Sequence, residues 1–144
     1  MQKSTKLSDV LHILLHMAEF KNPTTSEILA KSAQTNPVVI RRIMAGLRDR
    51  GFVQSEKGHG GGWLLSCDLK NVTIHDVYVA IGAPTMIVIG NRKDASECLV
   101  ADAVNTSIGT AFLDAESMLI AKFRSTTLAD LHNTIKKHSN IHGN

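Results

Sequence analysis

A mainly α-helical fold carrying one small β hairpin is what the sequence predicts, and three observations predict it. Apolar residues recur at i, i+3, i+4 and i+7 through most of residues 6–50 and again from about residue 99, the spacing of helices with one buried face. Residues 52–66 break that pattern, placing two short apolar runs on either side of the turn Lys57-Gly58-His59-Gly60-Gly61-Gly62. At 144 residues, 43% hydrophobic and 20% charged, the chain has the make-up of an ordinary globular protein able to bury a core.

The first helix covers residues 6–20, with Leu7, Val10, Leu11, Leu14, Leu15 and Ala18 on its apolar face, and Asn22-Pro23 ends it. Thr24 and Glu27 stand at capping-box spacing and open a short second helix through Ile28, Leu29 and Ala33. Asn36 is the expected N-cap of a third helix and Pro37 suits its first position, while Ile40, Ile43 and Leu47 make its buried stripe and Gly51 its stop. A tight turn between the second and third helices, followed by strands at 52–56 and 63–66, is the layout of a winged helix-turn-helix.

Thr73 can cap a fourth helix carrying Ile74, Val77, Tyr78 and Ile81, which stops near Gly82 and Pro84. Residues 85–97 read as a loop or partly extended connection. From residue 99 to 123 a long helix follows, with Val100, Val104, Ile108, Ala111, Ala115, Met118 and Ala121 along one stripe. Such a stripe exceeds what the amino-terminal core can cover, which makes this a candidate dimerisation helix; the alternative is that it folds back on its own unit. A last helix spans 127–138, and the tail 138–144 reads as frayed. The expected organisation is therefore a winged helix-turn-helix unit at 1–83, a connecting or sensor loop at 84–98, and a dimerisation helix plus C-terminal helix at 99–144.

Charge is unevenly spread. Residues 1–70 hold ten Lys or Arg against six Asp or Glu, whereas the remainder holds six against seven. A basic first half on a near-neutral second half fits a nucleic-acid-binding part joined to a non-binding part, although a solvated surface with a slight excess would account for it too. Aromatics make up only 4%, so stacking on single-stranded bases has few platforms and duplex DNA is the better fit. No run approaches the roughly 18 apolar residues of a membrane helix, and Asp9, His12 and His16 interrupt any signal-peptide pattern near the start. A cytoplasmic protein with no membrane partner is expected. In that setting Cys67 and Cys98 stay reduced and form no disulfide framework.

The helix after the turn of such a unit enters a major groove by its amino-terminal end. Here that end offers Thr35, Asn36, Val38, Arg41 and Arg42. Arg41 and Arg42 lie off the stripe of Ile40, Ile43 and Leu47, leaving their guanidinium groups to guanine O6 and N7 or to phosphate. Arg48 and Arg50, near the helix end, are candidates for phosphate or for ion pairs with Asp49 or Glu56. At the wing, Gly58, Gly60, Gly61 and Gly62 allow close backbone approach to a phosphate, and Lys57 and His59 add donors beside it; a hairpin needing glycine only for geometry is the alternative. No Gly-Lys-Ser or Gly-Lys-Thr follows, so this is not a nucleotide loop.

Other candidates are weaker. His12 and His16, at i and i+4, align two imidazoles, but no acidic partner follows in a His-Glu-x-x-His pattern, and solvated side chains explain them better than a metal site. Cys67 reads as a packing residue. Cys98 precedes the long helix, whose amino terminus favours a thiolate, and is a candidate redox-sensitive thiol. No nucleophile-base set or paired carboxylates emerge, so an enzyme has no site to stand on.

The first helix KLSDVLHILLHMA, the recognition helix ending IMAGLRDRGFV, the wing KGHGGGWLL, the helix TIHDVYVAIG and Cys98 before a long helix together resemble the Rrf2 family of bacterial transcription regulators over nearly the whole chain. The resemblance implies a homodimer joined through the long helix that binds a partly palindromic double-stranded operator and acts as a repressor or activator. Many members resemble iron–sulfur sensors with three cysteines before that helix. This chain departs from them: only Cys98 matches, residues 85–97 contain no cysteine, and Ala101 stands where some members carry a histidine. A cluster-free member with no cofactor is therefore expected, sensing through the Cys98 thiol or a small molecule. A winged helix that binds protein instead of DNA is the competing reading.

Overall fold

The computed structural model describes residues 6–85 and 98–142. The connection expected at 85–97 lies, apart from Thr85, outside them. Among the described residues the order is α1 Lys6–Glu19, α2 Ser26–Ser32, α3 Pro37–Asp49, β1 Val53–Glu56, β2 Gly62–Leu65, α4 Ile74–Ala80, α5 Leu99–Ser125 and α6 Leu128–His142. The strands pair antiparallel in a register that sets Val53 opposite Leu65 and Glu56 opposite Gly62. This is the mainly helical, winged helix-turn-helix architecture that the periodicity predicts.

Helix α3 starts as its sequence dictates. Asn36 is extended (φ −113°, ψ 158°), its Oδ1 accepts from the Val39 amide at 3.0 Å, and Pro37 needs no donor at the first position. The buried stripe is Ile40, Met44 and Leu47 rather than one running through Ile43: the two sets span equal arcs of the helix, and the core meets the Met44 side, leaving Ile43 half-buried at the rim of a surface depression. Helix α2 departs by one residue from the expected start. Thr25, not Thr24, is the N-cap and accepts from the Ile28 amide, since Thr24 is held in an extended bridge to Trp63.

One core gathers every layer. Val10, Ile13 and Leu14 of α1 meet Leu29 of α2, Ile40, Met44 and Leu47 of α3, Val53 of β1, Val77 of α4 and Leu128 of α6, all fully buried. Helices α4 and α6 open with twin capping boxes: Thr73 with Asp76, and Thr127 with Asp130. Thr73 and Thr127 also face each other in a bridge, where Ile74 N–H donates to Thr126 and Leu128 N–H to Val72 at 3.0 and 2.9 Å. That bridge is what carries Leu128 into the core. The frayed tail expected from residue 138 is instead helical to His142, because the turns that pack Leu131 and His132 against α1 propagate their hydrogen bonds onward.

Helix α5 is different. Its Ala101, Leu119, Ile120 and Phe123 turn at least partly inward, and the Phe123 ring lies 6.4 Å from that of Tyr78. About a quarter-turn away, Val100, Val104, Ile108 and Met118 stand 73%, 45%, 39% and 76% exposed.

Candidate nucleic-acid interface

The presenting end of α3 is built by the turn before it. After α2, Gln34 takes a positive φ of 53° and the Thr35 amide donates to Ala30 at 2.9 Å, reversing the chain within four residues. Thr35, Asn36, Val38, Arg41 and Arg42 all emerge exposed at this end. No acid occupies the first turn, so the helix amino terminus keeps its positive character. Arg41 is not free, contrary to expectation. Its Nη2 donates to Glu27 Oε1 of α2 at 2.9 Å, with both side chains more than half exposed. Such an exposed pair holds a direction more than it adds stability. Arg42 makes no ion pair among the described residues; it borders a depression of about 140 Å³ with Val39, Ile43, Ala80 and Ile81.

Arg48 and Arg50 sit at the opposite end of α3. Arg48 Nε lies 4.0 Å from Asp49 Oδ1, at the limit of an ion pair, and Arg50 is the exposed C-cap. The structure thus separates them from the exposed group at the amino-terminal end of α3.

Lys57, Gly58, His59 and Gly60 are exposed at the wing tip, closed by a Gly61 N–H to Gly58 carbonyl bond of 3.0 Å. Two glycines of the wing are sterically required: a Cβ at Gly61 would collide with the Glu56 carbonyl oxygen, and the base of the wing is tight too. Gly62 has φ 147°, and a Cβ there would lie 2.6 Å from the Thr24 backbone carbon, so only glycine allows this approach. The approach lets Trp63 and Thr24 exchange both backbone hydrogen bonds, at 3.0 and 2.8 Å, while the Trp63 indole N–H donates to Ser26 Oγ at 3.0 Å. Trp63 packs against the core, and it also ties the wing to the start of α2. Sequence reasoning missed both this tie and Glu27. The tie had one signal, a buried-type Trp beside a glycine run; Glu27 had none beyond its sign.

Beyond this face, His12 and His16 are exposed with ring centroids 4.4 Å apart. They share a groove of about 230 Å³ with Glu19 and His132, which hydrogen-bond to each other. Among the described residues no three His, Cys, Asp or Glu side chains meet at metal-ligand spacing. Cys98 is the exposed N-cap residue of α5, with no side-chain capping bond. Cys67 is half-buried against the core, and that burial pushes its thiol up.

Residues 3–134 match the profile of the Rrf2 family, described as iron-dependent transcriptional regulators. The chain belongs to the Rrf2 family. It is 25% identical over 130 residues to YwnA of Bacillus subtilis (strain 168), classed as an HTH-type transcriptional regulator, a match covering 90% of this chain and 96% of that one. Among solved structures it resembles a transcriptional regulator from Lactobacillus plantarum, with a TM-score of 0.76 and 25% identity over 96% of this chain and 95% of that one. The fold is also that of T. potens IscR, with a TM-score of 0.66 and 18% identity over 96% and 90% of the two chains. The family and the first two of these relatives are described as transcriptional regulators, not enzymes, and the chain belongs with the Rrf2-type transcriptional regulators. No helix among the described residues is long and apolar enough to cross a membrane.

The family's association with iron raises the question of an iron–sulfur cluster. Such clusters are held mainly by cysteine thiolates, and this sequence has two cysteines, one half-buried after the wing and one at the start of α5. That donor set does not fit a cluster held within one chain.

Proposed function

We propose that this Rrf2 regulator is a homodimer that binds a partly palindromic duplex operator and represses the genes beside it, without an iron–sulfur cluster. The observation that carries the reading is the exposed end of α3, where Arg42 stands unpaired among the described residues one turn beyond Val38 with Arg41 held by Glu27 on its flank, together with an exposed wing tip bearing Lys57 and His59. Base contacts come from α3 and phosphate contacts from the wing tip at Lys57, His59 and Gly60, with Thr35, Asn36 and Arg48 as further phosphate donors; the Gly61 amide, expected among them, is already committed to the Gly58 carbonyl. The exposed stripe of α5 supports the dimer, since apolar residues so placed are covered most simply by the same helix of a second copy. The two recognition helices would then meet successive major-groove faces, about 34 Å apart. Cys98, exposed where α5 begins, is the candidate switch, and a small molecule is the other source of signal.

A binding titration against genomic fragments tests the reading. Affinity falls by roughly 0.9 log unit per phosphate contact for each tenfold rise in salt, and Arg42→Ala weakens it at every salt. Binding to no fragment at low salt would defeat the proposal. Protein purified without oxygen is expected to be colourless and free of iron; a brown, iron-containing product defeats the cluster-free part. Oxidant changes DNA affinity in the native chain and leaves Cys98→Ser unaffected if the thiol is the switch.

A further inference from the structure

Val38 is the most exposed large apolar side chain described in residues 6–85, at 62%, ahead of Ile28 at 54% and Phe20 at 44%. Phe20 at least stacks beside His16, with ring centroids 6.5 Å apart. Nothing local requires Val38. The helix start is already supplied by the Asn36 cap and by Pro37, and a β-branched side chain is a mediocre helix former. Its position is informative. At 100° per residue, Val38 and Arg42 lie on the face of α3 opposite Ile40, Met44 and Leu47, with Arg41 on their flank. The face offered to a groove thus carries one apolar group followed, a turn later, by two cations.

The major-groove floor has one apolar feature, the 5-methyl group of thymine. We infer that Val38 reads a thymine 5-methyl one or two base steps from the base that Arg42 contacts. The spacing follows from a helical turn of about 5.4 Å set against about 3.4 Å per base step. The inference rests on the DNA-binding reading above and adds a base preference to it. Val38 is a specificity-determining residue in this account, and Glu27, 2.9 Å from Arg41, engages the cation three residues after Val38 and leaves Arg42 as the unpaired one among the described residues.

Deoxyuridine provides the test, because it keeps every donor and acceptor of thymine and removes only the methyl. The full-length chain is titrated with a synthetic duplex taken from a selected genomic fragment, and thymines under α3 are replaced one pair of half-sites at a time. Synthetic duplexes contain no methylated cytosine, so any effect reports thymine. At one symmetric position the replacement weakens binding roughly fourfold per half-site, about fifteenfold for the dimer, the value of one methyl-sized apolar burial on each side. Val38→Ala binds the thymine duplex more weakly by a similar factor, binds thymine and deoxyuridine duplexes within twofold of each other, and keeps the salt slope of the native chain. Ile28→Ala retains the native sensitivity.

Insensitivity of the native chain to deoxyuridine at every thymine of the footprint, with Arg42→Ala still weakening binding, overturns the inference and leaves the DNA reading in place. Sensitivity that persists in Val38→Ala also overturns it, for the methyl is then read elsewhere. Absence of binding to any duplex overturns both.

Discussion

Between residues 7 and 80 most large apolar side chains close on one another, with Val38, Ile28 and Phe20 left outside singly, and the buried polar ones, Thr24 and Ser26, each find a partner; along α5 the same residue types face outward over several turns. The first region reads as a finished object and the second as half of one. The contrast is one of assembly. A unit whose core is closed, here with Leu128 of α6, can present α3 and the wing in fixed positions, whereas a helix with Val100, Val104, Ile108 and Met118 exposed gains little burial without a second surface.

Substitutions can break that contrast. The largest effect is expected for Leu128→Ala, which removes a fully buried side chain supplied by α6 to the amino-terminal core; a loss of about 2–5 kcal/mol is predicted in chemical denaturation. A loss below 1 kcal/mol would show that the core closes without α6. Gly62→Ala comes next. With φ at 147° and the Thr24 backbone 2.6 Å from the added carbon, a cost of about 1–3 kcal/mol is expected, together with weaker DNA binding as the wing shifts. On α5, Val104→Glu with Met118→Glu should leave the unfolding free energy of the isolated chain within about 0.5 kcal/mol, while light scattering shows monomers in place of dimers. Equal damage to both quantities would mean that the stripe serves the chain's own core.

The two thiols divide along the same line. Iodoacetamide should label exposed Cys98 first and Cys67 slowly, because desolvation raises the Cys67 thiol and depletes its thiolate. The smallest effect concerns acid. Glu19 is held below its ordinary 4.5, first by the hydrogen bond from His132, and Asp130 below 3.8, first by the Thr127 backbone N–H. Carboxyls depressed in the folded state contribute stability above the unfolded value and lose it as pH falls through the folded one. The melting temperature should therefore begin to slip below about pH 4.5, and Glu19→Gln should remove part of that slope.

Much of the architecture was legible because it is written in local chemistry. Asn36-Pro37, the Thr73 and Asp76 pair and the apolar spacing of α1, α3 and α5 each need only neighbours in sequence to act. The displaced start of α2 was not legible, since Thr24 and Thr25 are equal as caps and a strand nearly forty residues later chooses between them. The Arg41–Glu27 pair was hidden for the same reason: it joins two helices whose relative angle depends on the core. The candidate site divides likewise. Its composition was visible from the basic helix and glycine-rich turn, but which cation is engaged and which apolar group is left outside could be seen only after folding.

Leu128 has a consequence for the order of events during synthesis. Val10, Ile13 and Leu14 leave the ribosome early, yet the residue that completes their surroundings follows more than a hundred positions later. A nascent chain that ends before it lacks the side chain that closes this part of the core. Closure is thus a late, long-range step, slowed by the loop that must be ordered to reach it. Until then the nascent chain offers chaperones a target that the finished protein conceals.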